Sequence, residues 1–213
     1  MNMIEYKTIE NDVEESIVEK RSKFIANIFY VTNMQEIEEK IQYINKIHRD
    51  AKHHCFAYRI LEGNNIIERA SDDGEPSGTA GMPLLTILNK NNLCNVLVIV
   101  TRYFGGILLG TGGLVRAYST SAIKALEKVK LVEEIKGIRL KIEIEYRLLE
   151  KLQYYCKKSE IEIENVEYRE NVFCIVAVKD KDKISIFTNL EKNPLGILNC
   201  EILGEKTLRK SKK

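Results

Sequence analysis

SDDGEPSGTAGMPLLTILNKNNLCNVLVIVTRYFGGILLGTGGLVRAYS, residues Ser71–Ser119, carries most of the chain's glycines and two of its three prolines. Asp72-Asp73-Gly74-Glu75-Pro76-Ser77-Gly78 reads as a turn, with glycine supplying positive φ and proline fixing its own φ in the negative range, and it gathers three carboxylates. Val96-Leu97-Val98-Ile99-Val100 is an unbroken, mostly β-branched run, the pattern of a central strand covered on both faces. It exits through Thr101-Arg102-Tyr103-Phe104-Gly105-Gly106 into a second loop, Gly105–Gly113. That loop leads into a helix with Thr111 as the expected N-cap and Leu114, Tyr118, Ala122, Ala125 and Val129 at helical spacing.

A strand, a glycine-rich turn and a helix start place bare backbone N–H groups where an anion can sit. The competing account is that the glycines serve the turn and its close packing alone. The stretch has neither the Gly-Lys-Ser/Thr ending of a P-loop nor the GxGxxG dinucleotide spacing, which argues against nucleotide binding in either mode. The candidate anion-binding residues are Arg102, Tyr103, Gly105, Gly106, Gly112, Gly113 and Arg116, and the candidate acidic loop is Asp72, Asp73 and Glu75. The two loops are expected to converge through arginine–carboxylate hydrogen bonds.

Upstream, Glu14–Val31 alternates as paired strands around the cationic turn Lys20-Arg21-Ser22-Lys23. Asn33 and Glu36 match a capping box for a helix with Ile37, Ile41, Ile44 and Ile47 on one face, ending near Asp50. His53–Leu61 and Ile66–Ala70 form a hairpin that delivers the chain to the acidic loop. His53 and His54, neighbours on a strand, point to opposite faces and cannot chelate one ion together, though one of them can support the site. Met82, Leu85 and Leu88 form an expected buried stripe.

Downstream, the periodicity restarts near Glu133–Gly137 with no Pro- or Ser-rich linker. Ile138–Glu145, a helix around Leu148–Tyr155, strands at Ile161–Tyr168 and Val172–Val178, a helix around Ile184–Leu190 and a strand at Ile197–Leu203 give the order βαββαβ, a ferredoxin-like split arrangement. The expected division is residues 1–134, 135–208 and a basic tail at 209–213, within the polar run KTLRKSKK from Lys206. The fold class is α+β.

Charged residues make up 30% of the 213 and balance to a formal net charge of +2, so no bulk field drives the chain onto nucleic acid or membrane. No apolar run approaches the roughly 18 residues of a span, and the N-terminal MNMIEYKTIENDVEE is acidic and polar, unlike a signal peptide. Together these point to a cytoplasmic protein without a membrane partner. Five widely spaced cysteines, odd in number and without a CxxC pair, read as reduced thiols.

The ordered series Asp72–Gly81, Val100–Gly106 and Leu109–Tyr118, with His53-His54-Cys55-Phe56-Ala57-Tyr58-Arg59 upstream, resembles the signature of the YigZ/IMPACT family, and the chain's two-part length resembles its bacterial members. The resemblance implies a first domain similar to the second domain of a ribosomal small-subunit protein and to RNase PH. It implies a second domain similar to the last domain of elongation factor G. The eukaryotic relatives regulate translation under amino-acid starvation by competing for a protein partner of a kinase.

The function these readings favour is a noncatalytic, translation-linked factor that binds RNA or the ribosome, or a translation-related protein. Local cations and the interleaved Tyr103, Phe104 and Tyr118 provide for base stacking. A second reading is a metal-assisted hydrolase or phosphorolytic enzyme with Mg²⁺ on Asp72, Asp73 and Glu75, and without that metal no cofactor is called for. A third is a pure protein-interaction module.

Overall fold

A computed structural model describes residues 5–63, 65–179 and 181–210. The chain is mixed α+β with antiparallel sheets, and it divides into two compact units, one of Tyr6–Glu133 and one that begins at Glu134 and includes Glu5. The elements of the first half are β1 (Glu5–Ile9), β2 (Val13–Glu19), β3 (Ser22–Tyr30), α1 (Met34–Ile47), β4 (His53–Glu62), β5 (Asn65–Ser71), α2 (Gly81–Lys90), β6 (Val96–Tyr103) and α3 (Thr111–Glu127).

Five of these strands form an antiparallel sheet in the order β2-β3-β6-β4-β5. The apolar run therefore lies at the centre, and its two faces have different neighbours. Val96, Val98 and Val100 pack with Phe24, Ala26 and Ile28 of β3 and with Leu84, Leu88, Leu114 and Ala122 of α2 and α3. Leu97 and Ile99 face the other way, into a cluster with Phe29, Tyr58 and the α1 residues Ile37 and Ile44. Each such side chain stabilises the fold by roughly 1.5–3 kcal/mol when fully buried. Those gains on both faces are what make an unbroken apolar strand tolerable.

Helix α1 starts where the capping residues put it: the Asn33 side chain accepts the Glu36 N–H at 2.9 Å. The Glu36 carboxylate reaches back to the N–H of Thr32 at 2.6 Å, one residue earlier than a reciprocal box would have it. The helix ends at Ile47, short of Asp50. In α2 the buried residues are Gly81, Leu84, Leu85, Ile87 and Leu88, whereas Met82, about 200° around the helix from Leu84, is exposed. The N-cap of α3 is Gly110, with φ 72° and no side-chain cap, not Thr111, which is already helical. A left-handed φ at that point suits glycine, and the second loop ends there, with Gly112 and Gly113 inside the helix.

The second half contains β7 (Leu131–Ile144), α4 (Leu149–Lys158), β8 (Glu162–Tyr168), β9 (Val172–Val178), α5 (Lys181–Thr188) and β10 (Ile197–Lys210), the order βαββαβ. The strands lie in the order β10-β7-β9-β8, and β1 also pairs with β7. Leu140, Ile142, Ile144, Val172, Cys174 and Val176 pack on Leu152, Cys156 and Phe187 of the helices. The division between units falls inside β7. The expected tail is also corrected: β10 continues through Lys210, because Leu208 is buried and Lys206 bonds Glu164 at 2.9 Å, while residues 211–213 lie outside those described.

Candidate functional site

The sheet register brings the candidate residues together. Arg102, near the end of β6, lies directly opposite Phe24 of β3 on one side and His53 of β4 on the other. It points to the same face as Val100, toward α2 and α3. Its guanidinium lies over the Phe24 and Phe104 rings, 5.5 Å from each centroid. Burying a charge this deeply is costly unless it is paired. Arg102 Nη1 donates to Glu75 Oε1 at 2.7 Å, with the two side chains 7% and 4% exposed. The same oxygen accepts the Tyr118 hydroxyl at 2.8 Å, and the Cys55 thiol donates to that hydroxyl's oxygen at 3.4 Å.

Burial in this network acts on its two weak acids, Tyr118 and Cys55. Burial, followed by the neighbouring Cys55 and Glu75, pushes the Tyr118 phenol up. Burial likewise pushes the Cys55 thiol up to about 12, against a lowering contribution from its bond to Tyr118. Neither group is an activated nucleophile near neutral pH.

The acidic loop divides its carboxylates among structural tasks. Asp72 accepts the N–H groups of Gly78, Ala80 and Gly81 at 2.8, 2.9 and 2.8 Å, and so closes the loop and caps the start of α2. Partial burial raises its pKa, but those three donors outweigh it and hold the carboxyl below its ordinary value. Asp73 Oδ2 accepts the His54 N–H at 2.6 Å, and the Asp73 carbonyl lies 2.8 Å from His53 Nδ1. A carbonyl only accepts, so Nδ1 carries a proton in this contact. His54 turns to the opposite face, with Nδ1 3.1 Å from Thr101 Oγ1, and burial lowers its pKa. Among the described residues no three His, Cys, Asp or Glu side chains are grouped to hold a metal ion.

Glu75, Arg102 and His53 line a cavity of about 740 Å³, with Lys52, Asp50, Pro76, Tyr103, Phe104, Leu108, Leu109, Gly110, Thr111 and Leu114. Gly105 holds the loop onto the β2–β3 hairpin: its N–H donates to Ser22 Oγ at 3.1 Å, and a Cβ there would sit 2.0 Å from the Arg21 carbonyl carbon. Beyond it Phe104, Ile107 and Leu108 are exposed, Leu108 by 83%.

Arg116 is exposed, about 200° around α3 from both Leu114 and Tyr118, and does not line the cavity. Tyr118 is fully buried and holds Glu75, so it presents no face for a base, and Tyr103 is half-buried with its hydroxyl 3.0 Å from His48 Nδ1. Sequence reasoning missed Tyr118 as the second donor to Glu75. The available signal was a tyrosine on an apolar helical stripe, since a buried tyrosine needs an acceptor. Lys52 and Leu108 carried no signal at all.

The profile described as "Impact N-terminal domain" matches residues 20–126, and that described as "Domain of unknown function (DUF1949)" matches residues 142–183. The chain is 41% identical over 177 residues to the IMPACT family member YvyE of Bacillus subtilis, covering 83% of this chain and 81% of that one. It is 32% identical over 191 residues to an IMPACT family member of Haemophilus influenzae, covering 89% and 92%. A crystal structure described only as that of a hypothetical protein superposes with a TM-score of 0.63 at 28% identity, covering 94% of this chain and 97% of that one. The fold is thus that of a two-unit α+β protein with a matching solved structure. This chain belongs to the IMPACT family.

Proposed function

We propose that the chain is a translation-linked regulatory factor that acts by recognition, without catalysis, and that its partner is a protein seated on the glycine-loop face of residues 6–133. The observation that carries this reading is the exposure of Phe104, Ile107 and Leu108 at the rim of the cavity, within the stretch the family profile matches. An apolar rim around a concave site is the usual signature of a docking surface. The link to translation comes from family membership. The βαββαβ order of the second half supports the expected likeness to the last domain of elongation factor G. The likeness of the first half to a ribosomal-protein and RNase PH domain belongs to the same reading.

Recognition is favoured over catalysis because the carboxylates of the acidic loop are engaged by backbone donors and by Arg102, and because Cys55 and Tyr118 stay protonated. Protein is favoured over RNA because the loop exposes the apolar Phe104, Ile107 and Leu108, and because Arg102, buried in the cavity, is neutralised by Glu75. A crosslinking pull-down from cells, with the wild-type chain and Leu108→Asp at two salt concentrations, tests both points. A protein retained at both salts and lost with Leu108→Asp is expected. Retention of RNA that falls steeply with salt would overturn the protein reading, since phosphate contacts release counterions. Equal retention by the two chains would overturn the docking face.

A further inference from the structure

The cavity beneath the glycine loop has a polar floor whose donors the protein's own acceptors do not use up. Arg102 is 6% exposed, Nη1 is committed to Glu75, and Nε is buried with no acceptor among the described residues. The Nε side of the guanidinium is one edge of the fork that grips carboxylates and phosphates. At the cavity's other wall the seventeen-residue α3 begins at Gly110 and Thr111 without a capping side chain and without an acidic residue in its first turn. The N–H groups of Thr111, Gly112 and Gly113 find no acceptor among the described residues, and the first helical bond runs from Leu114 N–H to the Gly110 carbonyl.

The rest of the lining, Ala51, Pro76, Leu108, Leu109 and Leu114, is apolar, and His53 and Lys52 stand at its edge. Asp50 and Glu75 are the lining carboxylates, and Glu75 is occupied by Arg102 and Tyr118.

From this we infer that the cavity is a binding site for a small organic anion, a phosphate or carboxylate on an apolar body, whose charged end lies between the Nε edge of Arg102 and the N-terminus of α3 while its body lies against Leu109 and Leu114. The volume, about 740 Å³, lies within the range of small-molecule sites. The inference does not rest on the translation-linked reading. It concerns a ligand under the loop, whereas the docking face is the loop's outer rim.

The test uses two probes on the full chain, phenyl phosphate and phenylacetate, read by amide chemical shifts and by calorimetry. Saturable shifts concentrated at Thr111, Gly112 and Gly113 are expected, with affinity reduced at least tenfold by Arg102→Lys. Because Arg102 is part of the buried network, Thr111→Asp, at a lining residue in the first turn of α3, provides the second arm. It should not lower the melting temperature, since a carboxylate suits the first turn of a helix, yet weaken the same probe several-fold. Binding of phenyl phosphate alone assigns a phosphate ligand, and binding of phenylacetate alone a carboxylate. No saturable shift with either probe, or undiminished affinity in Thr111→Asp, overturns the site. The pull-down on Leu108→Asp is unaffected by that outcome, so the two readings fail separately.

Discussion

Arg102 with Glu75, in the first unit, and Arg139 with Glu164, in the second, are ion pairs of nearly equal length, 2.7 and 2.8 Å, in very different surroundings. The first is almost wholly out of water and has aromatic rings on two sides. The second belongs to an open lattice on the sheet face away from α4 and α5, where Lys206 also meets Glu164 and Glu162, and Arg169 meets Glu167. There the Arg139 side chain is 40% exposed. A charge lattice in water satisfies a surface without specifying a ligand, whereas a buried charge with an unused donor specifies one. The contrast is between a buried pair with an unused donor in the first unit and a hydrated charge lattice in the second.

The sharpest way to break this contrast is Glu75→Ala. It leaves Arg102 buried without its counter-charge and Tyr118 without its acceptor, and a loss of about 3–5 kcal/mol in urea unfolding is expected. A loss under 1 kcal/mol would put the pair on a par with the surface lattice. Next comes Gly105→Ala, whose Cβ would collide with the backbone of Arg21. Forcing the loop and hairpin apart is expected to cost about 1–3 kcal/mol by thermal melting.

Asp72→Asn should cost about 1 kcal/mol at neutral pH through the weakened cap of α2. Its pH dependence has a definite sign. The folded-state pKa lies below the ordinary 3.8, so the contribution is present above about pH 4 and is lost as pH falls through the folded value. Wild type and Asp72→Asn should therefore converge in stability on acidification, and a gap that widens below pH 4 would contradict the cap. The smallest effect is expected from Arg169→Ala, exposed by 63%, at about 0–1 kcal/mol in the same urea assay.

What the sequence shows of this molecule follows local period and composition. Val96–Val100 could be placed at the sheet centre because no other position satisfies β-branched residues on both faces, and Asn33 announced α1 because its side chain acts within three residues. The site is legible only in its ingredients. That Arg102 chooses Glu75 rather than Asp72 depends on Asp72 being held by three backbone donors up to nine residues ahead of it. That Arg116 faces water depends on which stripe of α3 meets the sheet, and Tyr118 lies on that stripe. The length of β10 was hidden because Lys206 reads as tail until Glu162 and Glu164 are known to lie across from it.

The β2–β3 turn places Lys20 and Arg21 both at positive φ, 44° and 65°, a conformation that side-chain-bearing residues adopt at a cost. Gly105 fits against that turn like a key against a notch, touching Arg21 and Ser22. Side chains on a strand alternate between faces, so a slip of β3 by one residue would turn Phe24, Ala26 and Ile28 toward α1 and bring Asn27 against α3. The notch admits one alignment. An insertion of a single residue in the hairpin would thus be read out far from the turn, as the wrong half of β3 facing each helix layer.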